Sequence, residues 1–411
     1  MAATDSNWRL PLDFTHHLAG SAGALSFVGG AGDFNADGRI AHPGDLFAQI
    51  EGALRNTEVS LQVESCSLDD VVRLKAFYHS DGSLDEWQVL AALAKGFSHA
   101  PLPVISLVPV LMQPFQDQEI QVQVIAQRGW RSFADIRVDS TEIPDARRSS
   151  FKADALTSGL RAGEFIAVAN RTALDANGEI AEPDDGIAQT RLIMSSIENT
   201  LSALGASFQD AVKKEGCYFG TTREQWAGMA KQRAAFFREP GPVATIVPCQ
   251  VLWPATAQTK IEVLAMRQVR GGFDKYIPRD DSWPSRVWDW PIPLPYRQAS
   301  RLRDMIWLGG QVPSQPFNNA KERVLAGQLG PQTAFTMSYI DDLLRGFGRS
   351  AADLKLAVCY FKSDGSEETT RRFVKTLQEC VGGALPPLTL VPQPQMHTPE
   401  NTVEIWGVAA A

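Results

Sequence analysis

Apolar residues recur every second position in short runs and every third or fourth position in longer ones, and the two periods alternate in the same order three times. The first pass opens with Leu25–Gly32, a strand ending in glycines, and an Asp37-Gly38 turn. The 3.6-residue period of Leu46, Ile50 and Leu54 then predicts a helix over Asp45–Val63. A strand at Val71–Tyr78, a helix near Leu84–Phe97 and a strand at Glu119–Ala126 follow. The second pass predicts Glu164–Ala169, a turn at Asn177-Gly178, a helix over Ile187–Leu204 stopped by Gly205, Ala211–Phe219, a helix over Thr222–Phe237 and Lys260–Met266. The third predicts Met305–Gly310, Thr333–Phe347, Leu354–Phe361, Glu367–Cys380 and Thr402–Ala409.

One strand is written almost identically in each pass: Pro103-Val-Ile-Ser-Leu-Val-Pro109, Pro242-Val-Ala-Thr-Ile-Val-Pro248 and Pro386-Pro-Leu-Thr-Leu-Val-Pro392. Aliphatic residues around a central hydroxyl, with proline at both ends, predict a buried strand. A return at this interval fits a small domain duplicated in tandem rather than a solenoid repeat. Each unit reads β-β-α-β-α-β, an α+β class with helices on one face of a sheet. Phe77-Tyr78, Cys217-Tyr218 and Cys359-Tyr360 align as a shared core position. Two linkers separate the units: polar Gly129–Lys152, and Arg270–Arg297 with Trp283, Trp288 and Trp290, expected to be extended and partly docked.

With 411 residues the chain exceeds a single core. A net charge of −8 argues against a nucleic-acid partner. No apolar run is long enough to span a bilayer, and the start lacks a basic-then-apolar signal, so the expected location is cytoplasmic. Five scattered cysteines without a Cys-x-x-Cys pair predict reduced, mostly buried thiols. The six histidines lack metal-ligand spacing, and Gly30-x-Gly32 does not continue as a dinucleotide fingerprint, so no cofactor is expected.

Ala188-Gln-Thr-Arg191, Ile197-Glu-Asn-Thr-Leu201, Gly205-Ala-Ser-Phe-Gln-Asp-Ala-Val-Lys213 and Phe236-Phe237 resemble the YjgF/Rid family of enamine/imine deaminases. Pro295-Tyr-Arg-Gln-Ala299 and Gly309-Gly-Gln-Val-Pro313 are similar to two further stretches of that family. The resemblance implies three tandem chorismate-mutase-like domains, at residues 1–130, 150–268 and 294–411, forming a single-chain pseudo-trimer. It also implies ligand clefts between neighbouring domains. Further association of the pseudo-trimer stays open.

The resemblance implies a carboxylate-binding arginine on the Pro-flanked strand, but the matching positions are Ile105, Ala244 and Leu388. It implies a water-positioning glutamate on the last strand, where Gln121, Lys260 and Glu404 stand. Glu404 is the expected acid/base, with a solvated edge residue as the plain alternative. Tyr296 matches a tyrosine of the family's pocket and is the second expected catalytic residue, its hydroxyl a donor to a substrate oxygen; His16 takes its place in the first unit. The remaining substrate-binding candidates are Gly309, Gly310, Gln311, Thr389 and Arg171. The glycines would bring backbone N–H groups to a carboxylate, and Arg171 would restore a cation to one cleft. The expected activity is cofactor-independent hydrolytic deamination of a small anionic enamine or imine. The rival readings are a chorismatase-like enzyme acting on an enolpyruvyl substrate and a non-catalytic small-molecule-binding or scaffold protein.

Overall fold

The computed structural model describes residues 8–140, 156–220, 222–239, 241–267, 292–314 and 324–411. The first unit consists of β1 (Ala19–Ala22), β2 (Leu25–Ala31), α1 (Leu46–Val63), β3 (Val71–His79), α2 (Glu86–Ala94), β4 (Val104–Val110) and β5 (Ile120–Ala126). In the second, β6 (Ile136–Asp139) precedes β7 (Gly159–Ala162), β8 (Phe165–Arg171), α3 (Gly186–Ala203), β9 (Ala211–Phe219), α4 (Arg223–Ala234), β10 (Val243–Cys249) and β11 (Thr259–Met266). The third contains β12 (Ala299–Leu302), β13 (Met305–Leu308), α5 (Leu329–Arg345), β14 (Leu354–Lys362), α6 (Glu367–Val381), β15 (Leu388–Gln393) and β16 (Val403–Ala410).

The helix starts follow local chemistry. Asp45 accepts from the Ala48 N–H at 3.0 Å, Asp185 accepts from Ile187 and Ala188, and Thr222 and Gln225 form a reciprocal cap. The Asp37-Gly38 and Asn177-Gly178 turns fold back as expected, bringing Phe34 to Ile40 and Leu174 to Ile180.

The three sheets share one strand order: β1-β2-β5-β3-β4, β7-β8-β11-β9-β10 with β6 added at the β7 edge, and β12-β13-β16-β14-β15. The Pro-flanked strands are edge strands, where a missing N–H costs no ladder bond. Each unit is thus the expected α+β series with one strand more than the six-element pattern. The opening strands β1, β7 and β12 are only four residues long, too short to show a period. The stretch read as a polar linker also holds β6, which pairs antiparallel with β7. The Trp-rich segment at 268–291 lies outside the described residues.

The aligned tyrosines need a correction. Tyr78 pairs with Ile120 and Tyr218 with Thr259, but Tyr360 pairs with Glu404, just as Phe77 pairs with Gln121 and Cys217 with Lys260. Tyr360 is therefore equivalent to Phe77 and Cys217. A one-residue slip reverses the face of a strand, so Tyr360 points into the core between sheets while Tyr78 packs towards the helices.

Helices cover the outer faces of the sheets, and the inner faces meet in a shared core. Phe27 meets Trp307 edge-on at 6.1 Å and Phe77 meets Tyr360 at 6.4 Å, both between the first and third units. The same interior holds a charge cluster between the first and second units. Arg73 lies 2.8 Å from Glu262, Lys75 lies 3.1 Å from Glu215 and also pairs with Glu262, and Ser106 donates to Glu262 at 3.0 Å. Burial alone would raise the Glu262 carboxyl, but Arg73 and Lys75 outweigh it and hold it at about 2.

Three seams close the units into a ring. In the first (β4 and β8), the Leu107 N–H donates to Asn170 Oδ1 at 3.0 Å and Asn170 Nδ2 returns a bond to the Leu107 carbonyl. In the second (β10 and β13), the Gly310 N–H donates to the Ala244 carbonyl at 2.9 Å. In the third (β15 and β2), Gln121 Nε2 donates to the Leu390 carbonyl at 2.6 Å. Gly29 is required there, because a Cβ would stand 2.4 Å from the Leu388 carbonyl oxygen. All five cysteines are free thiols, and four are buried. Among the described residues no helix is long and apolar enough to cross a membrane.

Candidate functional site

Gln121, Lys260 and Glu404 occupy one equivalent position on the last strand of each unit, and each reaches a different seam. Gln121 spends its amide N–H on the Leu390 carbonyl. Lys260 does the same with the Leu107 carbonyl at 3.1 Å, and its ammonium also pairs with buried Glu86. A carboxylate cannot donate, so Glu404 cannot close the second seam in this way.

Glu404 binds His397 instead. Its Oε2 stands 2.6 Å from His397 Nε2, while His397 Nδ1 is 3.3 Å from the Tyr218 hydroxyl. The Tyr218 and His397 rings stack at 6.1 Å with planes 24° apart. Burial, then the Glu404 charge, raises the Tyr218 phenol above its ordinary range, so its proton stays on oxygen. A phenol donating to Nδ1 leaves the imidazole proton on Nε2, facing the carboxylate. The other carboxylate oxygen, Oε1, occupies the space beside the Gly310 Cα, where a Cβ would approach to 1.9 Å. One oxygen is thus oriented by a histidine and the other lies against bare backbone, an arrangement suited to moving a proton.

Lys213 lies close to this group. Its Nζ donates to Thr245 Oγ1 at 2.7 Å and to the Leu308 carbonyl at 3.2 Å, and sits 4.0 Å from the Trp406 ring centroid. Burial lowers its pKa to about 7, against the opposing pull of Glu215, Glu404 and Glu262.

The residues singled out from the sequence divide among separate places. Glu404, Gly309, Gly310 and Gln311 come together at the second seam. The glycine N–H groups are not turned to a ligand: Gly309 donates to the Gln298 carbonyl and Gly310 to that of Ala244. Gln311 pairs in the strand with Ile405 and donates to Gln298 Oε1 at 2.9 Å. Tyr296 is buried beside the same seam, edge-on to Phe237 at 5.7 Å, with the Lys214 ammonium 3.9 Å from its ring centroid. His16 occupies the corresponding place in the first unit, where Thr15 accepts from Leu385 as Pro295 accepts from Gly241. Thr389 lies on β15, which borders the third seam, and its hydroxyl is buried without a hydrogen-bond partner among the described residues.

Arg171 belongs to the first seam. It lines a cavity of about 170 Å³ with Asn170, Lys260, Trp87 and Trp253, and its guanidinium donates to Ser196 and Thr200. Arg171 and Glu404 thus stand at different seams. His397, Tyr218 and Lys213 were not among the site residues expected from the sequence, where Tyr218 stood as a shared core position. The usable signals were a histidine seven residues before Glu404 and the run Lys213-Lys214-Glu215 inside a strand.

A family model described as Endoribonuclease L-PSP matches residues 149–267, the second unit. No curated protein matches the chain. Among solved structures, a chorismatase is 15% identical, with a TM-score of 0.49, over 83% of this chain and 93% of its own. A YjgF/YER057c/UK114 family member from Mycobacterium tuberculosis is 23% identical, with a TM-score of 0.27, over 32% of this chain and 99% of its own. TdcF from E. coli, solved with bound serine, is 18% identical, with a TM-score of 0.27, over 33% and 99%.

Proposed function

We propose that the chain is a three-domain pseudo-trimer, with domains at 1–130, 150–268 and 294–411, that hydrolyses a small anionic enamine or imine at the second seam without a cofactor. The observation that carries this reading is the His397–Glu404 contact of 2.6 Å, with Tyr218 from the neighbouring unit behind it. In the reaction, water adds to the C=N carbon, Glu404 Oε1 takes one of its protons and returns it to nitrogen, giving a carbinolamine. The same carboxyl then carries the hydroxyl proton to nitrogen as the C–N bond breaks, so that ammonia leaves and a carbonyl product forms. His397 holds the carboxylate in place and Tyr218 fixes the imidazole tautomer.

Ile105, Ala244 and Leu388 stand where the resemblance implies an arginine, which argues for a substrate other than simple amino-acid-derived imines; one rival is hydrolysis of an enolpyruvyl ether. Both reactions need a carboxyl group that moves a proton beside a polarised double bond. The test is a panel of freshly generated 2-aminoacrylate- and 2-aminomuconate-type enamines, with chorismate alongside and a no-enzyme control. Ammonia release above the spontaneous rate, lost in Glu404→Gln, supports deamination. Pyruvate release from chorismate without ammonia replaces that reading with the rival, and no acceleration of either removes both.

A further inference from the structure

Strand β9 alternates, so Lys213 and Glu215 face the charged interior while Lys214, Gly216 and Tyr218 face α4. On that outer side α4 supplies Arg233, which is 1% exposed. Its Nε and Nη1 have no hydrogen-bond partner, and no carboxylate pairs with it among the described residues. Its titratable neighbours are the neutral phenols of Tyr296 and Tyr218 and the Lys214 amine. Lys214, also 1% exposed, has no ion pair among the described residues and lies against the Tyr296 ring. Its pKa is held well below the ordinary lysine value by burial, then by Arg233 and Lys213.

This differs from the interior cluster, where Arg73 and Lys75 each meet Glu215 and Glu262. A buried guanidinium without a counter-ion is costly, and an anion is the group that offsets it. Its planar fork matches a carboxylate with two parallel N–H···O bonds. Tyr218 links the two places: its ring packs with Trp226 and Met229 of α4, and its hydroxyl meets His397. Helix α4 and the acid/base pair thus share Tyr218 as a common neighbour.

We propose that Arg233, assisted by Lys214, binds the carboxylate of a small 2-oxo or 2-imino acid at the second seam. The anchor comes from helix α4 rather than from the Pro-flanked strand. The proposal rests on the reading of the second seam as the reaction site, and the following test reads binding instead of turnover.

Calorimetric titration of the full chain uses pyruvate as the probe and neutral pyruvamide as its control. Wild type is expected to bind pyruvate at least tenfold more tightly than pyruvamide. Arg233→Met should lose that preference, Arg233→Lys should keep part of it, and Glu404→Gln should bind pyruvate within about threefold of wild type. Ligand-free Arg233→Met should melt at or above the wild-type temperature, because it removes an uncompensated buried charge. Pyruvate binding unchanged in Arg233→Met overturns the proposal. So does wild type that does not distinguish the two probes, or a lowered melting temperature or failure to fold in Arg233→Met, which would mark a structural residue. If Glu404→Gln retains turnover while Arg233→Met loses binding, the acid/base assignment fails and the anion site stands.

Discussion

Tyr218 of the second unit and His397 of the third meet across a seam, hydroxyl to Nδ1 at 3.3 Å with the rings stacked. The proton position on His397, and so the direction in which Glu404 is held, depends on a residue about 180 positions earlier in the chain. Tyr218→Phe removes one hydrogen bond worth about 1 kcal/mol, so turnover should fall about fivefold to tenfold. Steady-state kinetics should show the loss in kcat, with KM nearly unchanged. A change in KM alone would place Tyr218 in substrate binding.

Glu404→Gln keeps the shape of the side chain and removes its basicity. Turnover should drop about 10²- to 10⁴-fold, the usual range for a general acid–base group. Circular dichroism and the melting temperature should stay close to wild type. Turnover equal to wild type would exclude Glu404 from the chemistry.

Gly29→Ala tests the third seam. The added methyl would stand 2.4 Å from the Leu388 carbonyl oxygen, which is backbone and cannot rotate away. The strands must separate, at a cost of about 1–3 kcal/mol. Urea denaturation should show a lower midpoint, and an unchanged midpoint would mean that the ring opens freely at this point.

Glu262 sets an acid limit on stability. Its folded pKa, about 2, lies below the ordinary glutamate value of 4.5, so its ionised form stabilises the fold above pH 4.5. That contribution fades as pH falls from 4.5 towards 2, because the unfolded chain then binds more protons than the folded one. Glu262→Gln leaves Arg73 and Lys75 with Glu215 alone and should cost about 3–5 kcal/mol at neutral pH. The variant should also show a flatter stability profile below pH 4.5 in urea titrations. A profile as steep as wild type would assign the acid limit to other carboxylates.

The repeated Pro-flanked strand and the 3.6-residue period of the helices made the α+β units legible, because both are local signals. The short strands β1, β7 and β12 offered no period to read. Tyrosine identity misled the alignment at Tyr360, because sheet register is set by pairing with β16 and not by matching letters. Glu404 was singled out by the resemblance, which implies an acid at that place on the last strand. His397 lies in a loop whose course the sequence does not specify. Arg73, Lys75, Lys213, Glu215 and Glu262 read as the wet side of alternating strands until three sheets enclose them. Arg171 does line a cleft, but only the closure of the ring decides which cleft each residue meets.

Gln121, Lys260 and Glu404 give the three seams a neutral, a positive and a negative group. A ring of identical subunits repeats every residue at every interface and would carry three carboxylates. Here the acid occurs once per polypeptide. A tight inhibitor that recognises the acid seam should therefore saturate at one mole per mole of chain. Its binding isotherm should have a Hill coefficient of one.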